Sequence, residues 1–381
     1  MSATITQPVV RAPRLRVMFG GTEIPGAVNA SVRINNWYQA DDFDIGFALY
    51  ADPDFGPLWW SQQTDMLVDI QIGYASGESI TWASILVGAV ENIEIHPTTG
   101  SVTVNGKDLV IRFVQSKIQE AFQNQTSSEI VAILAGRHGM TANATATTTL
   151  AGTYWQQDHS NITLGQFSRQ TSEWDLMTAL AKYEGFDLYV EGTVLHFHPA
   201  TTPDAPQWAV DWKPPTVANR SSYGQASNVN NLRMQRSLTL ARDIEVVVKS
   251  WHSKKGSAFS KTVRSVGTKS ASPGKAANQT GFAANTQRYV YVIPNLTEDQ
   301  ALKRAQSILT DLSRHERVIS WAEPGELTLT PRSLAMLRGT GTDFDQTYFI
   351  DSIERRIAHG EGFTMHVRAK NHDSRSQATV G

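Results

Sequence analysis

The chain has 381 residues, 40% hydrophobic and 18% charged, with no cysteine and a formal net charge of −2. This length accommodates two to four domains with ordinary cores, and the composition excludes a disordered chain. The missing cysteines exclude disulfide scaffolds, thiol nucleophiles and thiolate-bound metals, and the near-neutral charge excludes a chain that as a whole neutralises nucleic acid.

The first hundred residues read as strands. Arg14–Phe19 and Met66–Tyr74 place apolar side chains at every second position, as a half-buried strand requires. Ile80–Gly88, Val90–Ile95 and Ser101–Val104 continue the pattern, with Pro97–Gly100 and Asn105-Gly106 as turn signals. Between them, Asp52–Pro57 followed by Leu58-Trp59-Trp60 reads as a loop with an apolar tip. Short strands at this spacing suggest a sandwich or barrel.

The pattern changes near residue 111. Thr126-Ser-Ser-Glu129 is a capping box that opens a helix with Ile130, Ile133 and Leu134 on one face. A second helix is expected from about Ser172 to Glu184, stopped by Gly185, and then a hairpin of Phe186–Val190 and Thr193–His198. Residues 199–215 hold five prolines and read as a connector. Strands resume at Asn231–Arg236 and Asp243–Lys249. The Ser-, Gly- and Lys-rich stretch 252–286 is expected to be a long loop or arm, and Tyr289–Ile293 is a strand. Thr297 and Gln300 cap a third helix with Ala301, Leu302, Ala305, Ile308, Leu309 and Leu312 as its buried stripe. Val318–Trp321, Glu326–Thr330, Ser333–Arg338, Tyr348–Ile357 and Gly362–Ala369 read as strands, followed by a polar tail.

Charge is distributed unevenly. Residues 1–110 carry twelve acids against five Lys or Arg, whereas 246–297 hold no acid and eight bases: Lys249, Lys254, Lys255, Lys261, Arg264, Lys269, Lys275 and Arg288. The basic stretch reads as a solvated loop, as a contact surface for an acidic partner, another copy of this chain included, or, less well, as a nucleic-acid contact, since Trp251, Phe259 and Phe282 are the only, widely scattered stacking platforms of its loop part. Phosphate-loop, dinucleotide-fold, zincin and nucleophile-elbow motifs are absent. His196 and His198, two apart on a strand, point to one face, but no third ligand accompanies them, so no metal and no cofactor are expected. Asp41, Asp42 and Asp44 beside Trp37 and Tyr38 are the best candidates for carboxylate chemistry on a sugar; acids in such a loop are more often a solvated turn. No membrane-spanning helix and no secretory leader are expected.

Two stretches carry a family resemblance: Asn124–Gly139, and Ser168–Phe197 with its phrases Leu180-Ala181, Glu184-Gly185 and Leu195-His-Phe197. Both resemble the middle module of the phage late control protein D family, the baseplate hubs of contractile tails related to the N-terminal part of VgrG spikes. Tyr289–Leu312 and Tyr348–Asn371 resemble its C-terminal region. The resemblance implies a mainly β fold with α+β insertions: two β-barrel-like tube domains plus an α/β module, three copies closing into a trimeric ring. It divides the chain into a first barrel at 1–110 and an α/β module at 111–215. The second barrel would be 216–250 and 287–371 with a helix at 298–314, around a basic arm at 251–286, with a tail at 372–381.

The implied role is structural, not enzymatic: a hub that adapts a hexameric tail tube to a trimeric spike and surrounds a channel traversed by the genome or tape-measure protein. The implied partners are two further copies, the tail tube protein, the central spike protein and other baseplate proteins, in a virion tail assembled in the host cytoplasm. Candidate interface residues are Leu58, Trp59 and Trp60 with Lys254, Lys255, Lys261, Arg264 and Lys269. The rival readings are a cell-wall-degrading or carbohydrate-binding tail component, and a hub of a phage-like secretion or injection apparatus.

Overall fold

Period-two burial builds most of this protein. The computed structural model describes residues 12–76, 79–118, 122, 125–148, 150–151, 171–213, 227–237, 240, 244–252, 257–265, 287–293, 296 and 298–371. The chain divides into two compact units. One comprises Met1–Asp204, Ala322–Ser333 and Ile350–Val367; the other comprises Ala205–Trp321, Leu334–Phe349 and Arg368–Gly381.

The first unit opens with β1 (Arg14–Phe19), β2 (Thr22–Glu23), β3 (Ala27–Asn35), β4 (Asp42–Ala48), β5 (Leu67–Ser76), β6 (Ser79–His96) and β7 (Ser101–Asp108). They pair in the order β3-β4-β7-β6-β5-β1-β2. Alternate residues, among them Val17, Val32, Phe43, Ile45, Phe47, Ile70, Ile72, Val102 and Val104, turn inward to one core. Each such burial stabilises by roughly 1.5–3 kcal/mol. The β4–β5 connection folds into a 3-10 turn, Pro53–Phe55, and the short helix α1 (Pro57–Ser61).

The module that follows contains α2 (Val110–Gln115), β8 (Lys117–Ile118), β9 (Gln125–Thr126), α3 (Ser127–Arg137), β10 (Thr141–Ala144), β11 (Leu150–Ala151), β12 (Thr171–Ser172), α4 (Glu173–Glu184), β13 (Phe186–Glu191) and β14 (Val194–Pro199). Both longer helices begin in capping boxes, Thr126 with Glu129 and Ser172 with Asp175, and Gly185 ends α4 in the left-handed region at φ 73°. The helices cover a three-stranded sheet, β10-β14-β13, over a core that includes Phe113, Ile130, Leu134, Met177, Leu180, Leu195 and Phe197.

The remaining elements are β15 (Trp208–Asp211), β16 (Asn230–Arg236), β17 (Ile244–His252), β18 (Ser257–Ser265), β19 (Gln287–Val292), α5 (Glu298–Ser313), β20 (Arg317–Pro324), β21 (Leu334–Arg338), β22 (Thr347–Ala358) and β23 (Gly362–Asn371). In the second unit β15 runs parallel to β21, and β18-β17-β19 form a separate sheet. Val246, Val248 and Val263 of that sheet bury against Ala301, Ala305, Ile308 and Leu309 of α5.

Several expectations need correction. The sheets are not closed into barrels. Ile80–Gly88 and Val90–Ile95 are one 18-residue strand, β6, with register shifts at Ile85 against β5 and between Val90 and Asn92 against β7. Asn105-Gly106 is no turn: it lies inside β7 opposite that bulge, where a Cβ on Gly106 would run into the Ala89 carbonyl oxygen. The 251–286 arm contains the end of β17 and all of β18, because Phe259 and Val263, four apart, share the face under α5. The proline-rich connector contains the buried strand β15. Residues 322–333 and 350–367, expected in the second barrel, belong to the first unit, where residues 352–358 pair with β3 and Ile357 and Phe363 enter its core. The expected strand Glu326–Thr330 is a loop, its carbonyls taken by a buried arginine. The N-cap Thr297 lies outside the described residues.

Candidate interaction surfaces and the buried carboxylate pair

Asp41 and Asp108 stand at the β4 and β7 ends of one ladder. The Asp108 amide donates to the Asp41 carbonyl at 3.0 Å, and the Asn35 amide donates to Asp41 Oδ1 at 2.7 Å. Burial pushes the Asp41 carboxyl up to about 7, opposed by the Asn35 N–H and by the charges of Arg332 and Arg355, and reinforced by Asp42. Burial, then the neighbouring Asp41, raises Asp108 well above the ordinary carboxylate value, and its Oδ1 is buried with no hydrogen-bond partner. Two adjacent carboxyls in low dielectric cannot both ionise cheaply. Of the three acids the sequence singled out, only Asp41 joins this pair. Asp42 pairs with Arg33 at 3.8 Å, and Asp44, on the exposed side of β4, is raised by burial and lowered by Arg356. Asp108 was missed because it lies 67 residues away from Asp41 in sequence and meets it only through the β4–β7 register.

The aromatic platform assigned to sugar is engaged elsewhere. Trp37 and Tyr38 both have positive φ, 62° and 65°, a conformation that disfavours side chains by roughly 1–2 kcal/mol each. Asn36 holds this turn, donating from Nδ2 to the Pro331 and Ile350 carbonyls at 2.8 and 2.9 Å. The Tyr38 hydroxyl donates to the Phe186 carbonyl and the Trp174 indole donates to the Tyr38 carbonyl, both at 2.8 Å. The strained turn therefore fastens the first sheet to the α/β module.

His196 and His198 do share a face, with Tyr189 between them. Tyr189 stacks on His196 at 4.6 Å and 6°, its hydroxyl lies 3.2 Å from His198 Nε2, and Arg332 covers the ring at 3.4 Å. Burial lowers His196, which favours the neutral ring. Among the described residues no three His, Asp or Glu side chains gather as metal ligands. A further group, Ser116, His138 and Glu173, has the composition of a nucleophilic triad. However, Ser116 Oγ (3.5 Å) and Glu173 Oε2 (2.6 Å) both meet the same atom, His138 Nε2. A relay needs the two ring nitrogens separately. The contact, together with the Arg137–Glu173 ion pair at 3.6 Å, instead ties the end of α3 to the start of α4, Arg137 and Glu173 each standing at the helix terminus that favours its charge.

The predicted interface residues separate. Trp60 is core, 5.1 Å from Phe47 and 6.0 Å from Phe19. Trp59 is half-buried, edge-on to Phe55 at 5.0 Å, and Leu58 is exposed. Lys261 pairs with Glu298 at 2.6 Å, and Arg264 with Glu245 at 3.2 Å. Lys254, Lys255 and Lys269 lie outside the described residues. Missed by the sequence reading was a second apolar patch, Trp251, Val290 and Val292, exposed on the β17-β19 sheet.

No curated protein matches the chain in sequence. Among solved structures, a tail protein from Neisseria meningitidis MC58 is 13% identical with a TM-score of 0.66, over 96% of this chain and 98% of that one. The 43 kDa tail protein of prophage MuSo2 from Shewanella oneidensis is 14% identical with a TM-score of 0.63, over 94% and 96%. A chain of the Francisella PdpA–VgrG complex is 10% identical with a TM-score of 0.52, over 96% of this chain but 59% of that one. The fold is thus shared with phage tail proteins and with a chain of a PdpA–VgrG complex. The family model described as the Alg8 N-terminal domain matches residues 65–359, more than three quarters of the length, and the chain belongs to that family.

Proposed function

We propose that this chain is a structural phage-tail component, a baseplate hub whose copies close into a trimeric ring. In this role it adapts a hexameric tube to a trimeric spike and makes or breaks no bond. The observation that carries the reading is the end-to-end likeness to a tail protein, 96% of one chain against 98% of the other. The partners would be the tail tube protein, the central spike protein and other baseplate proteins, in a virion tail assembled in the host cytoplasm, with the genome or tape-measure protein passing through the channel. The VgrG likeness supports a spike as the neighbour and equally admits the hub of a secretion or injection apparatus.

Light scattering after gel filtration, with negative-stain averages of the same peak, tests the reading. A particle near three times 42.0 kDa, ring-shaped with a central hole, is expected. A chain that stays monomeric alone and forms no ring in particles that contain it overturns the reading. One observation favours a cell-wall-degrading activity, the raised Asp41 and Asp108 carboxyls. Peptidoglycan turnover by the purified chain, lost in Asp108→Asn, would carry that alternative; an inert chain is expected.

A further inference from the structure

Two exposed apolar patches of opposite charge lie in the two units. The first is the β4–β5 connection, where Tyr50 (64% exposed) and Leu58 (70%) accompany Asp52, Asp54 and Asp65. From residue 34 to 106 there is no Lys or Arg at all. The second is the face of the β18-β17-β19 sheet opposite α5. Residue pairing puts Trp251, Lys249 and Glu245 of β17, Arg264 of β18, and Arg288, Val290 and Val292 of β19 on that face. Trp251 is 52% exposed and Val292 75%. Arg264 and Arg288 share the Glu245 carboxylate at 3.2 and 3.8 Å, so that trio keeps a net positive charge, and exposed Lys249 adds another.

We propose that these patches bind each other between copies: the acidic Tyr50–Leu58 connection of one copy docks on the basic Trp251–Val292 sheet face of the next. The occupant is a second copy because one chain carries both halves of the match. The acid-only stretch supplies the charge that the base-only stretch lacks, and each carries large exposed apolar groups. Such a pairing buries aromatic and aliphatic anchors inside a ring of complementary charge, the arrangement in which interface energy concentrates. Because the patches differ, the contact is heterologous, and copies joined head to tail close into a ring when the rotation allows. The proposal deepens the ring reading above and rests on it for stoichiometry alone.

The chain's lack of cysteine makes the test direct. Leu58→Cys and Val292→Cys are full-length variants at exposed positions, so both are expected to fold. Under mild oxidation a mixture of the two should cross-link as a heterodimer at least tenfold faster than Leu58→Cys mixed with Tyr183→Cys, an exposed control on α4. Raised salt should slow the reaction. In a second arm, Asp54→Lys and Lys249→Glu should each weaken cross-linking, and combining one in each partner should restore it. Cross-linking no faster than the control overturns the contact, as does a disulfide formed within a single chain when Leu58→Cys and Val292→Cys are combined in one chain. If a three-copy ring still forms without the Leu58–Val292 cross-link, the contact fails and the hub reading stands. If no ring forms but the cross-link appears in head-to-tail chains, the hub reading fails and the contact stands.

Discussion

At the scale of single residues, two buried charged clusters set measurable behaviour. Asp41 titrates near 7 in the fold against 3.8 for an ordinary aspartate, and Asp108 is raised as well. A carboxyl whose folded value is raised binds more protons folded than unfolded, so this pair makes stability fall as pH rises from about 4 through 7. Asp41→Asn keeps an oxygen to accept the Asn35 amide. It should therefore change the melting temperature little at pH 3, below the unfolded value, and raise it progressively to pH 8, flattening the profile; a steeper decline between pH 4 and 7 would contradict the assignment. Arg355 is the second case. It is buried, donates from Nε to the Glu326 carbonyl at 2.8 Å and from Nη2 to the Leu329 carbonyl, and lies 3.9 Å from the buried Glu326 carboxylate. Arg355→Met would orphan both carbonyls and leave that carboxylate without its cation, a loss of about 3–5 kcal/mol by urea titration. Alternation along β22 places Arg355 on the inward face with Ile353 and Ile357, and Arg356, which pairs with Glu354, on the open one, but an inward arginine has no partner written into its own strand. Only the loop folded over Arg355 supplies the carbonyls that take its guanidinium.

Elements differ in how much of their behaviour is local. The Thr126–Glu129 capping box and the Gly185 stop were legible because each depends on residues within four positions; the Ser172–Asp175 box is equally local, and Ser172→Ala should destabilise by about 1 kcal/mol. The β4–β5 connection shows the opposite case. Leu58, Trp59 and Trp60 are consecutive and equally apolar, yet the helical rotation of α1 sends Trp60 into the core and leaves Leu58 in solvent. Trp60→Ala should cost about 3–5 kcal/mol, whereas Leu58→Ala should move thermal stability by less than about 0.5 kcal/mol. If the two variants melted alike, the burial would be wrong. β18 was hidden for a compositional reason: Ser260, Thr262 and Arg264 fill outward positions and Lys261 interrupts the inward face, leaving only Phe259 and Val263 to mark it.

For the whole molecule, the expected outcome is a ring whose formation depends on the β17-β19 face and not on the buried Asp pair. Asp41→Asn should therefore leave light-scattering mass unchanged, while Lys249→Glu should lower it. The sequence by itself determined what short-range patterns can carry. Period-two alternation gave a mainly β protein, capping and helical periodicity gave an α/β module, and charge counting gave acidic and basic stretches. Tertiary structure alone decided what depends on strands distant in the chain. It joined Asp41 to Asp108 through the β4–β7 register, placed Gly106 inside a strand at a bulge, and drew residues 352–358 against β3. It also set Trp251, Val290 and Val292 side by side on one face. Side-chain alternation and capping are settled by neighbours in sequence. Register, burial of a charge and the exposure of a patch are settled by whichever chain segment packs across, and composition does not encode which segment that is.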